Sequence, residues 1–164
     1  MTTLADVEHS RVTLSLLDRL TDLDPDSSRE GRSSEWEDLR TAKESLCRDL
    51  GAILNTRRRE DEIDARFEDL NNSVATFGVT DFTSYNLLNG VEQERVRRSI
   101  ERAIRCFEPR LTRVTVSLEP VDPLRPMLQF QIHALLRIHP AEPVSFSATL
   151  YRDSRRVAVS GAAS

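Results

Sequence analysis

Apolar residues recur at two different periods along this chain, and the change of period divides it. Over residues 35–56, Trp36, Leu39, Leu46, Leu50, Ile53 and Leu54 fall at three- and four-residue steps, the spacing of one face of a helix. Ser34 stands where a cap would start that helix, and Asn55-Thr56 where it would end. Over 91–107, Val96, Ile100, Ala103, Ile104 and Phe107 make a second stripe, while Arg95, Arg97, Arg98, Arg102 and Arg105 take the other faces. Glu101 precedes Arg105 by four residues, the favourable order for a helical ion pair. Pro109 predicts the stop, because the residue before a proline avoids helical backbone.

Beyond Pro109 the period falls to two. Val114, Val116 and Leu118 alternate with Arg113, Thr115 and Ser117. Leu128, Phe130, Ile132, Ala134, Leu136 and Ile138 do the same, as do Val144, Phe146, Ala148 and Leu150. Each run predicts a strand with one dry and one wet face. Proline-containing breaks at 119–123 and 139–143, and a polar break at 152–155, separate them, and Val157 and Val159 suggest a short fourth strand. The predicted fold is α+β: an antiparallel β-meander of three to four strands with two main helices packed on one face. Between the helices, Phe67, Leu70, Val74, Phe77 and Phe82 punctuate a polar stretch, which predicts a partly buried connection with one short helix. Residues 35–164 form a single domain in this reading. Residues 1–34 form a flexible N-terminal extension, with one apolar docking segment at 14–20, packed on its own domain or on a partner.

Composition narrows the function. The chain has 164 residues and a formal net charge of −4, which gives no global attraction to nucleic acid or an anionic membrane. Lys43 is the only lysine, so arginine, the better bidentate partner for carboxylates, carries nearly all the positive charge. The arginine-rich face of 95–110 could hold phosphate, but Glu92, Glu94, Glu101 and Glu108 dilute it, and the reading is a solvated or protein-facing surface. Cys47 and Cys106 lie far apart and outside any CxxC pattern, so neither a disulfide framework nor a zinc site follows. No basic-then-apolar leader opens the chain and no run is long enough to span a membrane, which predicts the cytoplasm and no direct membrane insertion. His9, His133 and His139 show no metal-ligand spacing, and five glycines form no phosphate cradle. Glu108, among arginines, suits a salt bridge better than acid catalysis. The expectation is therefore no enzyme, no catalytic residues, no metal, no cofactor and no small-molecule substrate. The sheet also raises the matter of edges: the 144–151 run carries little charge and is expected to offer a strand-pairing edge, unless the tail covers it.

Four motifs in order carry a resemblance. They are Ser15-Leu16-Leu17-Asp18-Arg19-Leu20, Asp49-Leu50-Gly51-Ala52-Ile53-Leu54-Asn55-Thr56-Arg57, Asn72-Ser73-Val74-Ala75-Thr76-Phe77-Gly78-Val79-Thr80-Asp81-Phe82, and Phe107-Glu108-Pro109-Arg110-Leu111 followed by a V-x-V-x-L strand. Together they resemble TssE, the type VI secretion baseplate family related to phage baseplate-wedge proteins. Ile53, Phe77 and Val79 are mild departures from its pattern. The resemblance spans about residues 14–151.

The resemblance implies a structural subunit in a baseplate assembled at the inner face of the bacterial inner membrane. Its partners would be other wedge subunits and contractile sheath subunits, with the sheath templated by strand exchange. Wedge docking is then expected at Glu108, Pro109, Arg110, Asn55, Thr56 and Arg57, with an internal lock as the other reading of Glu108 and Arg110. The N-terminal segment would dock through Leu16, Leu17, Asp18 and Leu20. Strand exchange would use Val144, Phe146, Ala148 and Leu150. The related family also carries a lysozyme-like label, so a cell-wall muramidase and a soluble regulatory adaptor are the alternatives.

Overall fold

The computed structural model describes residues 18, 20, 35–58, 63–64, 66–82, 85–86, 88–120, 127–138, 141–151 and 156–161, with backbone alone at 35–38. Leu16 and Leu17, the Ser34 cap, the Trp36 side chain, His9, His139 and most of the 1–34 extension lie outside the described residues.

Helix α1 runs Glu35–Asn55 and helix α3 runs Gly90–Phe107. Between them come strand β1 (Arg57–Arg58), helix α2 (Glu68–Asn71), a 3-10 turn (Val74–Thr76) and strand β2 (Val79–Thr80). Four strands follow: β3 Leu111–Leu118, β4 Met127–Leu136, β5 Glu142–Tyr151 and β6 Arg156–Gly161. The antiparallel sheet has the order β3-β4-β5-β6, a plain meander. The α+β class, the helical layer and the fourth strand thus stand as the two periods imply.

The core lies between one sheet face and the two long helices. From α1 it takes Ala42, Leu46, Leu50, Ile53 and Leu54, and from α3 Val96, Ile100, Ala103 and Ile104. Even-numbered residues 128–136 and 144–150 fill it from the two inner strands. Burying each such large side chain contributes about 1.5–3 kcal/mol before chain entropy is set against it. Asn89 caps α3 by accepting the Val91 N–H at 2.9 Å.

Three features differ from the expectation or add to it. First, β5 is an inner strand, paired with β4 over its whole length and with β6 from Phe146 to Tyr151. Val144, Phe146, Ala148 and Leu150 are buried core residues, so they offer no edge for strand exchange. The physical reason is the tail: residues 156–161 turn back and cover that edge. Second, β1 and β2 form a small parallel pair, Arg57 with Val79 and Arg58 with Thr80. Gly78, at φ 103°, makes that approach possible, since a Cβ there would overlap the Thr56 carbonyl oxygen. Third, β3 carries a bulge between Thr112 and Thr115, with Arg113 at φ 52°. The extra residue lets both Leu111 and Val114 face the core three positions apart.

Candidate functional site

Arg110 is the hub of the corner where α3 hands the chain to β3. The Glu108 N–H still bonds to the Ile104 carbonyl, which completes α3, and Pro109 then turns the chain outward. This turn brings the Arg110 guanidinium back onto Glu108: Nε reaches Oε1 at 2.7 Å and Nη2 reaches Oε2 at 2.6 Å. The same Nη2 donates to Asp49 Oδ2 at 2.6 Å, and Nη1 to Ser45 Oγ at 3.0 Å. Ser45 in turn donates to Asp18, and Arg48 reaches Asp18 Oδ1 at 2.6 Å. One network therefore ties the N-terminal segment, α1 and the α3–β3 corner together.

Glu108 is buried and Arg110 nearly so. Burial by itself would lower the Arg110 guanidinium, but the bonds and charges of Glu108 and Asp49 outweigh it and hold the group above its ordinary value. Asp18 likewise raises Arg48 through its hydrogen bond. Removing one member of a buried pair of this kind costs about 3–5 kcal/mol, because the survivor keeps an uncompensated charge. Of the two readings of Glu108 and Arg110, the geometry is that of the internal lock: both ends of the pair close on the protein itself. Pro109 alone of the triplet is exposed.

Asn55, Thr56 and Arg57 sit at the α1–β1 junction, away from that hub. The Asn55 amide reaches β6, donating to the Val157 carbonyl and accepting the Val157 N–H, both at 2.9 Å. Thr56 Oγ1 donates to the Ala52 carbonyl at 2.8 Å. Arg57 lies over the Phe82 ring at 5.6 Å and 3.9 Å from Asp81. Asp18 packs on α1 of its own chain, and Leu20 is 76% exposed.

Sequence reasoning missed Ser45, Asp49 and Glu101. Ser45 falls on the buried face of α1, and a polar residue on an apolar stripe is the signal that a buried partner exists. Glu101 reads as a surface partner of Arg105, yet it is buried. Its Oε1 accepts from Arg97 at 2.6 Å and from the Val116 N–H at 2.9 Å, and Oε2 lies 3.3 Å from Arg105. Arg105 also donates to the Val114 carbonyl at 2.7 Å.

Chemically, the hub is saturated. Both Glu108 oxygens are engaged by Arg110, which leaves neither available as a proton donor to a substrate. Every buried side-chain polar atom among the described residues has a partner. Among the same residues no group of three or more His, Cys, Asp or Glu could hold a metal ion, and no helix is long and apolar enough to cross a membrane.

Residues 40–141 match the model of a family described as "Baseplate wedge protein gp25". No curated protein matches the chain. Among solved structures, the chain is similar to a Geobacter sulfurreducens protein provisionally called a tail lysozyme, at 18% identity and a TM-score of 0.46, over 75% of this chain and 96% of that one.

Proposed function

The chain belongs to the baseplate wedge protein gp25 family, and from that premise we propose that it is a TssE-type wedge subunit of a type VI secretion baseplate. Membership makes it a structural component that assembles with other baseplate subunits. The finer reading is that it works in the cytoplasm, at the inner face of the inner membrane, joins wedge partners and templates the contractile sheath without catalysis. The observation that carries this is the convergence of the motifs. Asp18, Asp49, Glu108 and Arg110, from three of the four, meet in one network, while the remaining motif supplies β2, which pairs with β1 just beyond α1. Such a network makes a rigid corner, with Pro109 and Leu20 left exposed for a wedge partner.

Templating by strand addition needs a sheet edge, and β5 is not one. The outer sides of β3 and β6 are the edges, and side chains from α3 and α1 engage part of each, at Val114 and Val116 and at Val157. The β6 side is the one we assign to the sheath, because only neutral groups of α1 meet it among the described residues, the Asn55 amide at Val157 and the Cys47 thiol at Gly161.

The test is co-purification with a tagged chain from its native cells, beside a Leu20→Glu form. The wild-type chain is expected to bring down wedge and sheath subunits, and Leu20→Glu to recover fewer. Recovery of neither class by the wild-type chain, or digestion of peptidoglycan by the purified protein that Glu108→Gln abolishes, would overturn the reading.

A further inference from the structure

Folding sorts the charges that look balanced along α3. Glu92 accepts the Asn86 N–H; Glu94 is taken by Arg97 and Arg98; Glu101 turns to β3; Glu108 turns to Arg110. What remains on the side facing residues 71–80 is a cleft of about 290 Å3 whose wall includes Arg58, Arg95, Arg98 and Arg102. Among the described residues, no carboxylate pairs with Arg58, Arg95 or Arg102; Arg102 donates only to the neutral Asn71 amide, at 3.3 Å. Burial, and then the Arg102 guanidinium, push Arg58 below its ordinary value, the signature of a cation lacking its counter-charge.

We propose that this cleft binds carboxylate side chains presented by an acidic, partly apolar segment of a protein partner. Guanidinium forks match carboxylates in bidentate geometry, and several around one small cleft fix the position of one or two such groups. A protein segment fits better than a polyanion backbone. The chain as a whole carries −4, which gives no global attraction to a nucleic acid. The ring on its wall, Phe107, is engaged edge-on by Phe77 with centroids 5.0 Å apart. It is the only ring among the lining residues, too few for a stacking platform. The segment that contributes Asn71 and Thr76 to the cleft also exposes Leu70 (45%) and Val74 (86%). Arginine beside exposed apolar side chains is the composition of protein interfaces. That the partner is another baseplate subunit rests on the assembly reading above; the cleft's taste for carboxylates does not.

The experiment uses the full chain and a fluorescein-labelled acidic-apolar octapeptide, EELLEELE, read by anisotropy at low salt. Saturable binding is expected, weakened about tenfold or more by Arg95→Glu with Arg102→Glu and unchanged by Arg40→Glu, a control on exposed α1. The double glutamine form should weaken it less. No saturable binding, equal loss in the Arg40→Glu control, or displacement of the peptide by equimolar inorganic phosphate or a single-stranded DNA 20-mer would each overturn the proposal. In cells, a double variant that keeps every wedge partner would overturn the cleft as the docking site and leave the baseplate role standing. A wild-type chain that binds the peptide yet recovers no wedge partner would overturn the baseplate role and leave the carboxylate site standing.

Discussion

The two edges of the sheet are closed by the same strategy and opposite chemistry. On β3, α3 supplies charge: Glu101 takes the Val116 N–H and Arg105 the Val114 carbonyl, with Arg97 completing the cluster. On β6, α1 supplies a neutral amide, since Asn55 satisfies both the N–H and the carbonyl of Val157. Unpaired edge groups invite another strand, and each helix here reduces that invitation with a side chain. The difference lies in how firmly. A buried carboxylate between arginines is costly to disturb, whereas one amide contributes only the net value of its hydrogen bonds. The ionic edge is therefore the permanent one, and the neutral edge the one that a partner strand can open.

The largest expected effect breaks the ionic side. Glu101→Ala should cost about 2–4 kcal/mol in urea unfolding, because it strands the Val116 N–H and leaves Arg97 and Arg105 unneutralised. A loss below that of the Asn55 variant would undo the ranking of the edges. Asn55→Ala should cost about 1–2 kcal/mol, and hydrogen exchange should show faster opening at the Val157 amide with the Val116 amide unchanged. If both amides accelerate together, the two edges open as one unit and the comparison fails. Raising salt sharpens the contrast further: at about 1 M, screening should shrink the cost of Glu101→Gln, which keeps an acceptor but no charge, while the cost of Asn55→Ala stays put. The smallest effect concerns the exposed rim of the ionic cluster. Arg97, with Arg98, holds the Glu94 carboxyl down at about 2. Its folded pKa lies below the unfolded one, so its contribution is complete above the ordinary carboxylate range and fades as pH falls toward 2. Carboxyl NMR titration reads this directly, and a Glu94 midpoint in the ordinary range would remove Glu94 from the shared network.

Much of the fold was legible in the chain. The α1 and α3 stripes, the stop at Pro109 and the alternating strands depend on neighbours a few residues away, so the pattern carries them. The candidate site was legible only as a set of residues. Glu108 and Arg110 stood out beside Pro109, but nothing local marked Arg110 as the partner of Ser45, 65 residues away, or Val157 as the partner of Asn55, 102 residues on. The bulge at Arg113 had no glycine to signal it.

What the sequence determined by itself, then, is which faces are dry: periodicity is a local property, and burial follows it. What only the tertiary structure decided is where each charge goes and which strand ends the sheet. The same glutamates that dilute the arginines along α3 are drawn to β3, Arg110 and the Asn86 N–H, and the arginines of the cleft are left behind. Phe146 to Leu150 became interior because residues 156–161 return beside them. A charged side chain chooses its partner in space, and a strand becomes an edge or an interior by what folds back against it; neither choice is written in spacing along the chain.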